Sequence, residues 1–159
     1  MTFLPISNDD ELTASLLTSE PEFTAFAQWH ELRAELVPYI GERAAGLFCY
    51  AISEASDSLV GTAFFGKALI DAGENVASPQ VTETEQLLMD WGRLIATSPS
   101  AIPDEMYVRL EEAFNPRLRL ILVAFAGLTV ATNLLSTLGR IPLDKSLYKY
   151  RKPGDERTD

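Results

Sequence analysis

Between Leu120 and Gly139 the chain reads LILVAFAGLTVATNLLSTLG, twenty residues without a charged side chain. A run of that length either crosses a bilayer or forms a buried helix of a bundle. Its ends carry helix punctuation. Asn115-Pro116 is a capping residue followed by proline at the first helical position, and Gly139 closes the run with Pro142 beyond it. Thr129, Thr132, Asn133, Ser136 and Thr137 recur at helical spacing in the second half. That pattern suits packing among helices rather than contact with lipid, so no membrane span is expected. The first half is apolar almost all round, which predicts burial against neighbouring helices.

The remainder of the chain has to supply those neighbours. Residues 22–40 place Phe23, Phe26, Ala27, His30, Leu32 or Arg33, and Leu36 or Val37 at helical intervals, with Pro38 expected to end or bend the helix near Leu36. Residues 42–55 follow as a largely apolar helix. The stretch SDSLVGTAFFGKALIDAG, residues 56–73, forms the next, with Asp57 or Ser58 as its cap and Gly73 where a left-handed stop is wanted. Thr82-Glu-Thr-Glu85 is a capping box ahead of Leu87, Leu88, Trp91, Leu94 and Ile95. Pro103, Asp104 and Glu105 open a helix running to about Phe114. Long alternating runs and Asn-Gly or Asp-Gly hairpin turns are missing. The expected fold is all-α, one domain over residues 1–143 with six or seven helices. Residues 144–159 are expected to be a charged, solvated tail. Its basic half, KSLYKYRK, is alternatively a docking stripe for an acidic surface, including the protein's own.

Charge narrows the classes of partner. The formal net charge is −10 and the pI is near 4.5. Such a surface repels phosphate backbones and anionic headgroups, so neither nucleic acid nor a membrane is an expected partner. A single cysteine allows no intramolecular disulfide, and residues 1–13 lack a basic segment ahead of a long apolar run. A cytoplasmic location is the expectation.

Residues 40–144 resemble the carboxymuconolactone decarboxylase/alkylhydroperoxidase-D-like family. The resemblance rests on the Thr82-x-x-Glu85 opening, Trp91, a short acidic helix, and a long apolar helix ending in Asn133, Leu134, Leu138 and Gly139. The stretch 56–73, with ALIDAG before a turn, looks like that family's central helix. The resemblance implies an alkylhydroperoxidase-D-like helical bundle and self-assembly into a dimer, trimer or hexamer. Members with thiol peroxidase activity carry Cys-x-x-Cys-x-x-His on the central helix. There one thiolate attacks, the second resolves it, and the imidazole relays protons. Aligned on Gly73, those positions fall on Leu59, Thr62 and Phe65, or one residue earlier on Ser58, Gly61 and Phe64. The upstream glutamate would fall at Leu47 or Gly46, and Glu42 lies about one turn too early. The decarboxylase branch keeps a histidine on this helix, which is also missing. Dithiol peroxidase activity is therefore not expected.

Other residues are candidates to carry chemistry in its place. Cys49, with apolar neighbours, reads as inert core or else as the nucleophile of a one-cysteine peroxidase. His30 reads as a boundary residue at the end of an apolar face, or as the base of a cofactor-free, lactone decarboxylase-like enzyme working with a carboxylate. Ser58, Thr62 and Phe65, with Asn133, are candidates for holding a small ligand, or alternatively line a helix crossing. No metal-ligand spacing is present, and neither a metal nor an organic cofactor is expected. The sequence thus points to a small-molecule-binding or structural oligomer without the redox centre.

Overall fold

The computed structural model describes residues 21–159. Among them are six α-helices and two short 3₁₀ segments, with no strand. The α-helices are α1 (Pro21–Ile40), α2 (Glu42–Ala55), α3 (Leu59–Asp71), α4 (Glu83–Thr97), α5 (Asp104–Ala113) and α6 (Pro116–Leu138). The 3₁₀ segments are Pro99–Ala101 and Lys145–Tyr150. The domain is an all-α bundle.

Local chemistry accounts for most of the boundaries. Ser58 rather than Asp57 caps α3, its hydroxyl accepting the Gly61 N–H at 3.1 Å. Gly73, at φ 80°, turns the chain after Asp71. Its N–H bonds the Ile70 carbonyl and that of Glu74 bonds Leu69, a Schellman closure. Thr82 and Glu85 exchange both bonds of the capping box. Asn115 caps α6 by accepting from the Leu118 N–H at 2.9 Å.

One helix end differs from expectation. Pro38 does not stop α1, which runs on to Ile40. It forfeits a single N–H bond in the final turn, and the Gly41 N–H still closes that turn on the Val37 carbonyl at 2.8 Å. α6 ends at Gly139 as read; that glycine is right-handed, and Arg140 takes the left-handed conformation, at φ 49°.

The most enclosed helix is α2, which packs on α4, α3, α6 and α1. Phe48, Cys49 and Ile52 of α2 meet Leu88 and Trp91 of α4 and Leu122 and Phe125 of α6. On α1 the inward residues are Trp29 and Leu36, while His30 is exposed. The apolar face is thus turned one residue from the stripe read through His30. The side chains of Phe23 and Phe26 lie outside the described residues.

Residues 144–159, read as a solvated tail, fold back onto α3. Tyr150 and Leu143 are buried against Leu59 and Ala63, and the Tyr150 hydroxyl donates to Asp71 at 2.7 Å. Farther on, Arg157 and Lys152 reach Asp57 at 3.0 and 3.6 Å. The basic stripe therefore docks on the protein's own acidic groups. The apolar first half of α6 is covered on one face by the helices of this chain. Leu120 and Val123 are exposed, whereas Thr129 and Asn133 point inward.

Candidate functional site

A cleft of about 630 Å³ opens between α1, α2 and α3, with Phe125 of α6 at its base. This is within the usual range for small-molecule sites. Its floor is aromatic. The Trp29 ring stacks on Phe125 at 5.2 Å between centroids and leans on Phe65 at 5.8 Å. α1 and α6 run against each other, which brings Trp29 over Phe125. α3 enters beside them and contributes Phe65.

The polar end of the floor is saturated. The Trp29 indole N–H donates to the Thr129 hydroxyl at 2.9 Å, and that hydroxyl donates to the Phe125 carbonyl at 2.8 Å. A hydroxyl has one proton, so Cys49, at 3.6 Å from the same oxygen, is left to donate its own. Burial pushes the Cys49 thiol up to about 12. It is protonated at neutral pH, which is the unreactive form of a cysteine.

The mouth of the cleft is basic although the protein as a whole is acidic. His30, Arg33, Arg43 and Lys67 line it, against Glu42 and Glu74. These bases are not equally available. Arg43 forms a two-pronged pair with Glu74 at 2.7 and 3.1 Å, also bonds Glu85, and donates to the Gln80 carbonyl at 2.6 Å. These carboxylates hold its guanidinium above its usual range. Burial raises Glu85, but its bonds from Arg43 and from the Thr82 backbone outweigh that and lower it. Lys67 is held by Asp71 at 2.6 Å.

Arg33, by contrast, has a 3.5 Å contact with the well-exposed Glu42. A pair of that kind contributes little, so Arg33 can exchange it for another anion. His30, one turn before Arg33 on α1, stands edge-on to Trp29 at 5.0 Å.

Gly46 makes the space above the floor. A Cβ built on it meets nothing within 4 Å. Gly61 is the opposite case, because its Cβ would lie 2.5 Å from Asn133 Oδ1 and 2.6 Å from Ser53 Oγ. Here α3 presses directly on α2 and α6. Asn133 donates to Ser53 at 3.0 Å, and the Thr62 hydroxyl donates to the Ser58 carbonyl at 2.7 Å. Ser58, Thr62 and Asn133 are all buried in this junction.

The residues singled out in the sequence therefore separate into two places. Phe65, His30 and Cys49 converge on the cleft, and Ser58, Thr62 and Asn133 lie in the closed junction. Sequence reasoning passed over Trp29, Arg33, Gly46 and Phe125 as cleft residues. The available signal was Trp29 one position before His30, with Arg33 a turn later on the same helix. Among the described residues, no group of three or more His, Cys, Asp or Glu side chains is gathered as a metal site. Comparison with family models, curated proteins and solved structures finds no match for this chain.

Proposed function

We propose that the protein is a small-molecule binder whose ligand is an amphipathic anion, an apolar or aromatic body carrying a carboxylate or similar head. The observation that carries this reading is the pairing, in one cleft, of the Trp29–Phe65–Phe125 floor with a weakly engaged Arg33 at the mouth. The apolar body would lie on the rings, where burial of its surface supplies most of the affinity. The head would reach Arg33 and His30, which share one side of α1. The resemblance to the carboxymuconolactone decarboxylase-like family supports the same conclusion from another direction. Its central-helix thiols and histidine would be replaced here by Leu59, Thr62 and Phe65, or one residue earlier by Ser58, Gly61 and Phe64, leaving a scaffold without its dithiol chemistry.

A second reading, cofactor-free acid–base chemistry, is favoured by the place of His30 at the cleft mouth. It would act on the bound anion in that same cleft. A one-cysteine peroxidase is disfavoured by the buried, protonated Cys49.

The test is a fluorescence titration with two probes that share an aromatic body, the anionic anilinonaphthalenesulfonate and the uncharged phenylnaphthylamine. Arg33→Ala should weaken the sulfonate about tenfold, the loss of one charge-assisted hydrogen bond, and leave the neutral amine unchanged. Equal effects on both probes, or none on either, would contradict an anion-selecting mouth.

A further inference from the structure

Lys67 stands where two surfaces of α3 meet. Phe64, Phe65 and Ala68 face the ligand cleft, and Lys67 lines its mouth with them. On the adjoining side, Ala63 and Ile70 pack against the C-terminal segment, where Tyr150 is buried. The Lys67 ammonium lies 5.1 Å from the centre of the Tyr150 ring, and that of Lys149 lies 4.9 Å from it. Both are within the range of a cation–π contact. The Tyr150 hydroxyl donates to one oxygen of Asp71 at 2.7 Å, and Lys67 donates to the other at 2.6 Å. The docked segment thus adds a second cation and a phenol to what would otherwise be a single ion pair on α3.

That arrangement leaves Lys67 incompletely neutralised. Its pair with Asp71 is about half exposed on both sides, and lysine ahead of aspartate is the weaker order on a helix. Asp71 offers Lys67 one oxygen, because Tyr150 holds the other. Its carboxyl is lowered by the bonds from Lys67 and Tyr150, and the charge of Lys149 adds to them. Two ammoniums and one carboxylate leave this cluster with a surplus positive charge. It borders the cleft on the α3 side, whereas the weakly engaged Arg33 stands on α1. The carboxylates at the mouth are engaged by arginines: Glu74 by Arg43 on both oxygens, and Glu42 by its loose contact with Arg33.

We infer that Lys67 is a second head-binding group and Tyr150 its positioning residue, so that the cleft selects a doubly charged head, that of an aryl phosphate monoester. The inference rests on the cleft being the ligand site and adds the charge of the ligand's head. Arg33 and Lys67 would take that head from two different helices, each exchanging a weak surface pair for a charge-assisted hydrogen bond. A singly charged head would satisfy one of them and leave the other with its carboxylate.

The test is equilibrium dialysis of the full chain against two ligands with one naphthalene body, 1-naphthyl phosphate and 1-naphthalenesulfonate. It is run at about pH 8, where a monoester phosphate is doubly charged. The wild-type protein should bind the phosphate about tenfold more tightly, the effect of one further charge-assisted hydrogen bond. Lys67→Met should erase that preference. Tyr150→Phe keeps the buried ring and frees Asp71 to turn both oxygens on Lys67. It should reduce the preference about threefold, the effect of a surface ion pair, with helical circular dichroism intact. In an Asp71→Asn background, Tyr150→Phe should no longer alter the preference, a result that a merely structural Tyr150 would not give. Equal affinities in the wild type, or a preference that survives Lys67→Met, overturn the inference and leave the Arg33 reading standing. An undiminished preference in Tyr150→Phe overturns the role given to the C-terminal segment. Failure of both naphthalene ligands to bind would bring down the cleft reading, and this inference with it.

Discussion

The two halves of α3 are opposites. Its start carries two hydroxyls, the cap Ser58 and Thr62, and is closed: Gly61 admits Ser53 and Asn133 so closely that no ligand fits. Its second half carries Phe65 and Lys67 and borders an open cleft. Across that cleft, Gly46 has empty space where Gly61 has a neighbouring helix. Hydroxyls beside a glycine on a helix face thus mark a tight crossing here, and the ligand space lies where a glycine meets nothing over an aromatic floor.

The same substitution at the two glycines should break the comparison most sharply. Gly61→Ala forces a Cβ into Asn133 and Ser53 and should cost about 3 kcal/mol, by overpacking and by parting a buried hydrogen bond. Thermal unfolding should then drop by roughly 10 °C. Asn133→Ala comes next. It removes the buried amide that bonds Ser53 and should cost about 2 kcal/mol by urea unfolding, with probe binding in the cleft unchanged. Gly46→Ala should reverse the sign. It adds a methyl to open space in a helix interior and should stabilise by about 0.5 kcal/mol.

The smallest effect concerns the tail that seals the closed half of α3. Asp155 is lowered to about 2, chiefly by its hydrogen bond from Arg157. A carboxylate depressed in the folded state stabilises it fully above its unfolded value of about 4. That contribution is lost as the pH falls through the folded value. Exchange protection of the Leu143 amide, which bonds the Thr158 carbonyl at 2.8 Å, should therefore decline between about pH 4 and pH 2.

Much of the fold was legible because helix ends are written locally. The Thr82–Glu85 box, the Asn115-Pro116 start and Gly73 all act through bonds within a few residues of themselves. What lay beyond the sequence was tertiary. The inward turn of Trp29 depends on Thr129, a hundred residues away, as its hydrogen-bond partner. Whether a helix-interior glycine is a crossing or a void depends on which helix stands opposite, so Gly46 and Gly61 look alike in sequence. Likewise the first half of α6 was read as buried against neighbouring helices, and the helices of this chain cover one of its faces. The candidate site was half visible: Phe65, His30 and Cys49 lie on it, but the reasons for a ligand to stay are Trp29 and Arg33 on either side of His30 in α1 and Phe125 of the distant α6.

The central claim, a ligand cleft above Gly46, is tested most directly by titrating anilinonaphthalenesulfonate into the wild-type protein and its Gly46→Leu variant. A Cβ there meets nothing within 4 Å, so the leucine would project from α2 into the cleft without straining the backbone. The account predicts one saturable site per chain with quenching of Trp29, and at least a tenfold loss of affinity in Gly46→Leu at undiminished melting temperature. Full affinity in Gly46→Leu would contradict it.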